Sequence, residues 1–200
     1  QGVDATQFHP DRFSKDWRVR LTNGHPADRL LLYVGRLGHE KNIGKLRSVL
    51  DQMPGVRLAL VGDGPARRDL EEEFAGTRTV FTGVLQGDEL ATAFASADAF
   101  VFPSTTETLG IAMIEALASG LPVLAARAGA AGEVIGDGET GLLYDPTSDA
   151  YLIAAVEKLV SDDALRARMG KSARAAAERR DWRSSTQTLR GYYEKAVLEA

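Results

Sequence analysis

The sequence predicts an α/β fold built on a doubly wound, mostly parallel sheet. Short apolar runs recur from residue 30 onward, and most of them are continuous rather than alternating with polar residues. Continuous apolar runs are typical of strands that are buried on both faces, as the strands of parallel sheets are. Segments with helical periodicity separate these runs, which indicates βαβ units.

Six apolar runs are the predicted strands. Several of them end at Gly or Pro, residues that commonly interrupt a strand. The predicted strands cover residues 30–34, 57–61, 79–81, 99–102, 122–125 and 141–144. Right-handed crossovers between them would bring their carboxyl ends, where ligands bind in such sheets, to one edge.

The segments between the strands carry apolar residues at helical spacing. The most apolar of them, residues 110–119, predicts a helix that is buried on most sides. This helix should stop at Gly120, a common C-cap residue, with Pro122 soon after it. The helices predicted between the strands cover residues 41–52, 66–74, 88–96 and 110–119.

The two ends of the chain differ from this alternating middle. Three helices without intervening strands are predicted at residues 148–160, 162–178 and 182–198. Asp162 and Asp181 are the expected N-caps of the last two. Residues 1–29 contain Pro10, Gly24 and Pro26, and we expect them to be irregular. The whole pattern is that of a Rossmann-like domain with extra C-terminal helices.

Composition narrows the class of protein. The 200 residues include 24 basic and 28 acidic ones, for a formal charge of −4, which argues against a general nucleic-acid binder. The absence of cysteine excludes a disulfide scaffold and a thiol nucleophile, and it fits a reducing cytoplasm. No run approaches the roughly 20 apolar residues of a membrane helix. We expect no signal peptide, because residues 1–20 lack its apolar core.

The strongest chemical signal follows the fourth predicted strand. Glu107 lies in the loop at the carboxyl end of that strand, and Glu115 lies about one and a half turns into the apolar helix. A carboxylate on a mostly buried helix is costly unless it is hydrogen-bonded. A cleft in which Glu115 accepts bonds from two hydroxyl groups would offset that cost.

The start of the same helix suits a phosphate group, because free backbone amides collect there. The amides belong to Thr108, Leu109, Gly110 and Ile111. A structural alternative stays open at this point. In it, Glu107 closes a capping box that begins at Ser104, and Glu115 is an ordinary solvated charge.

A second stretch, residues 35–42, lies between the first predicted strand and its helix. It begins with Gly35 and carries Arg36 and Lys41 on one loop. Two cations that converge there could hold a diphosphate, with Arg as a bidentate fork and Lys as a point charge. The alternative is a surface loop whose charges are simply solvated. His39 is interpreted as a loop residue rather than a ligand.

Other chemistries find little support. Residues 62–65, Gly-Asp-Gly-Pro, predict a tight turn, and Arg67 stands where a dinucleotide fingerprint needs its third glycine. The chain contains neither a P-loop motif nor the Gly-x-Ser-x-Gly of a serine nucleophile. His9, His25 and His39 are far apart in sequence, so no metal site is predicted.

Together these segments resemble the C-terminal, donor-nucleotide half of a retaining family-four glycosyltransferase of the GT-B type. Six motifs in the family's usual order carry the resemblance, which covers nearly the whole chain. They are residues 35–42, 62–65, 82–85, 107–115, 118–123 and 138–143. Residues 33–38 and 81–90 look most similar to the sulfolipid (sulfoquinovosyl) synthases, and related lipid mannosyltransferases share much of this pattern.

The resemblance implies roles for the matching positions. The implied catalytic residues are Arg36, Lys41 and Glu107, and the implied donor-binding residues are Gly35, Leu85, Thr108, Leu109, Gly110, Ile111 and Glu115. The two cations would neutralise the leaving diphosphate, and Glu107 would bind hydroxyls of the donor sugar. Glu115 would hold the ribose diol, and Leu85 with its backbone would meet the base. Such enzymes need no metal or other cofactor, because the cations and the helix end do that work.

The resemblance also implies partners and domain roles. The donor would be a nucleoside diphosphate sugar, UDP-linked, and the acceptor a lipid such as diacylglycerol. Residues 1–29 would be an interdomain connector, 30–180 the donor-binding domain and 181–200 a crossover helix. The acceptor site belongs to an N-terminal domain that these 200 residues do not contain, so we expect the chain alone to be inactive. We expect a cytoplasmic protein, peripheral at the inner face of a membrane if the acceptor is a lipid, with no nucleic-acid partner.

Three alternatives remain open from the sequence. The first is a GDP-mannose-dependent mannosyltransferase, which base selectivity would identify. The second is a sugar-nucleotide epimerase, which an epimerisation assay would detect. The third is a non-catalytic nucleotide-binding module, which would bind nucleotide without transferring sugar.

Overall fold

The computed structural model of the chain describes residues 2–180 and residue 190. Its centre is a six-stranded sheet in the order β3-β2-β1-β4-β5-β6, and every neighbouring pair is parallel. The strands are β1 (Arg29–Val34), β2 (Val56–Val61), β3 (Thr79–Gly83), β4 (Ala99–Phe102), β5 (Val123–Ala126) and β6 (Gly141–Tyr144). The predicted α/β class is confirmed, and the strand order reverses between β1 and β4.

Helices cover both faces of this sheet. The α-helices are α1 (Lys15–Leu21), α2 (Leu46–Gln52), α3 (Arg67–Glu73), α4 (Gly87–Ala95), α5 (Ile111–Ala118), α6 (Ala131–Val134), α7 (Asp149–Ser161) and α8 (Asp163–Glu178). Short 3₁₀ turns occupy Pro10–Arg12, His39–Lys41 and Ile43–Lys45. The helix predicted at residues 182–198 and its N-cap Asp181 lie outside the described residues.

The sheet is the centre of the hydrophobic core. Every residue of β2, β4 and β5 is buried, as expected for parallel strands covered on both faces. An aromatic stack runs across the middle, with ring centroids 5.9 Å apart for Tyr33 and Phe102 and 6.0 Å apart for Phe100 and Phe102. This packing fixes the carboxyl ends of β1 and β4 side by side, and both of these strands end in aromatic or apolar residues.

The N-cap prediction for α8 is confirmed, because Asp162 Oδ1 accepts a hydrogen bond of 2.8 Å from the Leu165 amide. The prediction that residues 1–29 are irregular is wrong for α1. Ser14 caps this helix and Leu21 is fully buried. Arg18 anchors it through a 2.6 Å ion pair with Asp98, 80 residues away, a contact that local sequence patterns do not reveal.

The helix predicted at residues 41–52 is also wrong in its first turn. The chain forms two 3₁₀ turns there, and α2 starts only at Leu46. Asn42 separates the turns with a left-handed backbone, φ 55°, which Asn adopts more readily than most residues. The break leaves Lys41 in a loop at the carboxyl edge of the sheet.

The described residues offer no helix that is both long and apolar enough to cross a bilayer.

Candidate functional site

A cavity of about 310 Å³ opens at the carboxyl ends of β1 and β4, where the strand order reverses. This is the position at which doubly wound sheets bind their ligands. Residues expected from the sequence line much of it: Gly35, Arg36, Lys41, Glu107, Leu109, Gly110 and Ile111. The loop after β1 and the loop after β4, far apart in sequence, therefore meet around one cavity.

Glu107 lies at the centre of this cavity and is held on both carboxylate oxygens. Lys41 Nζ donates to Oε2 at 3.0 Å, and the amides of Leu109 and Gly110 donate to Oε1 at 3.3 Å each. Burial raises the pKa of Glu107, but the hydrogen bonds from Lys41 and from the two amides outweigh it and lower the pKa below its ordinary value. Glu107 is therefore an anion at neutral pH.

The capping box that the sequence left open does not form. The Glu107 carboxylate reaches forward to the amides of Leu109 and Gly110, instead of back to Ser104. Ser104 Oγ accepts a 3.4 Å bond from the Thr106 amide. Glu107 therefore lines the cavity and does not close a capping box with Ser104.

The start of α5 has fewer free backbone amides than the sequence predicts. Helix α5 begins at Ile111, with Gly110 as its N-cap. The amides of Leu109 and Gly110 already donate to Glu107, so they are not free. Glu107 precedes the N-cap by three residues, and its side chain is long enough to accept hydrogen bonds from the amides of the turn that leads into α5.

The two cations of the loop after β1 are each balanced by a carboxylate. Arg36 is exposed, and one of its guanidinium nitrogens lies 2.5 Å from Glu40 Oε1. Lys41 is largely enclosed, with its Nζ 3.0 Å from Glu107 and 5.9 Å from the centroid of the Phe102 ring. A diphosphate entering the cavity would meet both cations, each able to exchange its carboxylate partner for a phosphate oxygen.

Glu115 lies next to the cavity without lining it. It follows Ile111 by one helical turn and therefore shares its face of α5. Glu115 is only partly exposed, and burial raises its pKa to about 7. A carboxyl that loses hydration in this way is not an ordinary solvated charge, which was the alternative that the sequence allowed.

Besides Glu115, two more expected residues lie outside the cavity. Thr108 is exposed and lines a neighbouring cavity of about 440 Å³, which it shares with Leu109. Leu85 is buried and follows β3, two strands away from β1. Leu85 therefore lies beyond the end of a strand that is not next to β1, and it does not line the cavity.

Sequence reasoning missed four residues of the cavity wall: Tyr33, Val34, Phe102 and Ala112. Tyr33 is fully buried, and its hydroxyl donates to the Arg36 carbonyl at 3.1 Å. The signal that could have found Tyr33 and Phe102 is their position at the ends of the two strands that flank the reversal. Each was interpreted only as part of a buried strand.

Metal independence is a prediction that these contacts leave untested. In the part of the chain that the structure describes, no group of three or more His, Asp or Glu side chains is close enough to hold a metal ion. The charged side chains that line the cavity are Arg36, Lys41 and Glu107, and the two cations suit an anionic ligand.

Comparison with known proteins identifies the family. Residues 18–176 match the family model described as glycosyl transferases group 1. The chain is 44% identical to the sulfoquinovosyl transferase SQD2 of Arabidopsis thaliana, over 99% of this chain and 39% of that protein. It is 35% identical to a GDP-mannose-dependent alpha-mannosyltransferase of Corynebacterium glutamicum, over 99% of this chain and 47% of that protein.

A solved structure shares the fold. HepE of Anabaena, crystallised with UDP and glucose, superimposes with a TM-score of 0.85 at 25% sequence identity, over 97% of this chain and 55% of that one. The chain thus spans between about two fifths and just over half of the length of these relatives. The family match, the sheet order and this superposition agree. The chain therefore belongs to the group 1 glycosyl transferases, and its Rossmann-like sheet is one half of the GT-B fold of such enzymes.

Proposed function

We propose that this chain is the donor-binding half of a glycosyltransferase that takes a sugar from a nucleoside diphosphate sugar, UDP-linked. One observation carries the proposal above the others. At the reversal of the sheet, Glu107 is clamped between Lys41 and the start of α5, with Arg36 lining the same cavity. A carboxylate for sugar hydroxyls and cations for a diphosphate thus lie within one small volume.

The chemistry follows from these charges. When the bond between the anomeric carbon and the diphosphate oxygen breaks, its electron pair leaves with the diphosphate and negative charge grows there. Arg36 and Lys41 stabilise that charge. Glu107 accepts hydrogen bonds from the sugar hydroxyls and holds the ring while the anomeric carbon becomes oxocarbenium-like. The acceptor hydroxyl then attacks the face from which the diphosphate left and passes its proton to a diphosphate oxygen, which retains the configuration.

Donor binding requires an exchange of partners at both cations. Arg36 must turn from Glu40 toward the diphosphate, and its exposure allows this movement. Lys41 pairs with the Glu107 carboxylate and lines the same cavity, so it can contact the sugar-binding and the phosphate-binding ends of the donor. The two cations supply the charge that a metal ion supplies in other transferases, and we infer a metal-independent reaction.

The comparisons support two candidates for the base and the sugar of the donor. The identity to a sulfoquinovosyl transferase and the UDP-containing HepE structures support a UDP-sugar. The identity to a GDP-mannose-dependent mannosyltransferase supports the second candidate, mannosyl transfer from GDP-mannose. The higher identity to the former makes a UDP-sugar and a lipid acceptor the leading proposal, with the acceptor site on an N-terminal domain.

A first experiment tests donor binding. We expect isothermal titration of the chain to show selective binding of UDP over GDP and ADP, and Arg36→Ala to weaken that binding about tenfold. Arg68→Ala is the matched control, because Arg68 is exposed on α3 and forms an ion pair with Glu72, one turn further along the same helix. Selectivity for GDP would favour the mannosyl alternative. Equal binding by the wild-type chain and Arg36→Ala would contradict the assignment of Arg36.

A second experiment tests transfer in a protein that joins this chain to its N-terminal acceptor domain. Glu107→Gln keeps the size of the side chain but removes the charge, and we expect sugar transfer to fall by about 10²-fold or more. Glu157→Gln, on the exposed side of α7, is the control that should leave transfer unchanged. Epimerisation without transfer, or near-normal transfer by Glu107→Gln, would overturn the proposal.

A further inference from the structure

Glu107 is fixed through its backbone as well as through its carboxylate. The turn before α6 packs against the loop after β4, and there the Ala130 amide donates to the Glu107 carbonyl oxygen at 2.9 Å. Ala130 is also the N-cap of α6, so the turn cannot shift without moving that helix. A segment with no predicted role in the site therefore determines where the Glu107 backbone lies.

Gly129 makes this contact possible. A Cβ atom at Gly129 would lie 2.4 Å from the Glu107 carbonyl oxygen and 3.2 Å from the Glu107 nitrogen. These are backbone atoms, which cannot rotate away as the end of a side chain can. Gly129 also has φ 55°, a left-handed conformation that Gly adopts without strain. Any other residue would have to push the Glu107 backbone out of its place.

We propose that Gly129 is a positioning residue for Glu107, setting the place of its backbone so that its carboxylate reaches Lys41 and the start of α5. The inference rests on the proposed function, because Glu107 matters for transfer only if it meets the donor sugar. Gly129 does not line the cavity, so its effect would pass through Glu107.

The consequence of a displaced backbone follows from the contacts. The two amide bonds to Glu107 are already long, at 3.3 Å each, so a small outward shift breaks them. The Lys41 bond would lengthen with the same shift. Because these bonds keep the pKa of Glu107 low, a side chain at position 129 should raise it.

Two variants and one matched control separate this effect from simple backbone strain. Gly129→Ala adds the Cβ atom and the strain of a left-handed φ, and Gly129→Asn adds the same Cβ to a residue that tolerates that conformation better. Gly76→Ala is the control. Gly76 has a left-handed φ of 74°, but nothing lies within 4 Å of its Cβ position. Strain alone would therefore affect Gly76→Ala as well and would be milder in Gly129→Asn.

The first readout is the pH titration of the Glu107 carboxyl carbon by ¹³C NMR, without ligand. We expect both Gly129 variants to raise the midpoint by about one pH unit and Gly76→Ala to leave it unchanged. An unchanged midpoint in folded Gly129 variants would overturn the inference. Failure of both variants to fold while Gly76→Ala folds would also overturn it, because Gly129 would then serve global stability.

The second readout is the kcat of sugar transfer in the protein with its acceptor domain. We expect kcat to fall about tenfold or more in both Gly129 variants, since small misplacements of a catalytic group are costly. A raised midpoint with unchanged kcat would uphold Gly129 as the positioner of Glu107 and count against the proposed role of Glu107 in transfer. The two failures are thus distinguishable.

Discussion

At the scale of single residues, the site is an arrangement of charges that are already paired before a donor arrives. Arg36 has Glu40, and Lys41 has Glu107. Pairing with Lys41 lowers the pKa of the Glu107 carboxyl, which would be costly to bury as a charge without a partner. The proposed donor would replace these existing partners instead of meeting bare charges, so we expect a moderate affinity for nucleotide.

The resemblance implies that Glu115 holds the ribose diol, and that role predicts a dependence of donor binding on pH. Burial raises the pKa of Glu115 to about 7, and a ribose diol donates two hydroxyl hydrogens, which only the carboxylate form accepts on both oxygens. We therefore expect UDP affinity to increase as the pH rises from about 6 to about 8. Calorimetry across this range measures it. Glu115→Gln should bind more weakly and lose the pH dependence, and a slope that survives in Glu115→Gln would contradict the assignment.

The same shift has a consequence for stability. The folded pKa of Glu115, about 7, lies above the ordinary value of 4.5, so the native state holds more protons than the unfolded state between these two pH values. Stability must therefore fall as the pH rises through this window. Urea unfolding should show a smaller fall in Glu115→Gln than in the wild-type chain. An identical pH profile in both would show that Glu115 is not desolvated.

Tyr33 supports Arg36 from beneath the cavity. Its hydroxyl donates to the Arg36 carbonyl, and burial raises the pKa of the phenol, so it remains a donor. Tyr33→Phe should cost about 1 kcal/mol of unfolding free energy through the lost hydrogen bond and should weaken UDP binding by loosening the Arg36 loop. Tyr151→Phe, on an exposed ring, is the control. Unchanged UDP affinity in Tyr33→Phe would show that the loop does not depend on this bond.

At the scale of secondary structure, the sequence predicted the strands and most helices because their signals are local. Alternation of apolar runs with helical stripes depends on neighbouring residues alone. The local pattern predicted the wrong start for α2, where Asn42 adopts a left-handed backbone. It also missed α1, a short helix that an ion pair between Arg18 and the distant Asp98 stabilises. The break at Asn42 is useful to the site, because it leaves Lys41 in a loop that reaches Glu107.

The break at Asn42 yields a prediction at this scale. Asn42→Ala should destabilise the chain by about 1 kcal/mol, because Ala tolerates a left-handed φ less well than Asn. It should also weaken UDP binding by displacing Lys41. Asn42→Gly, which adopts this φ freely, should retain UDP affinity. Chemical unfolding and calorimetry on the two variants measure both effects, and equal affinity in Asn42→Ala and Asn42→Gly would contradict the link to Lys41.

At the scale of the whole molecule, the site exists because two distant loops end at the same edge of one sheet. The motifs predicted that Arg36, Lys41 and Glu107 share a cavity, since strands that precede such loops lie side by side in a doubly wound sheet. They could not predict that Gly129 abuts Glu107 or that Glu107 occupies two helix amides. A shift of a few tenths of an ångström would make or break those contacts, and spacing along the sequence does not encode atomic positions so finely.

We propose that this chain binds a nucleoside diphosphate in the cavity at the carboxyl ends of β1 and β4. The most direct measurement is an NMR titration of the ¹⁵N-labelled chain with UDP, followed residue by residue. We expect the largest amide shifts at residues 35–41 and 107–111, with smaller ones near Leu85 and Glu115. Shifts confined to other surfaces of the molecule, or none at millimolar UDP, would contradict it.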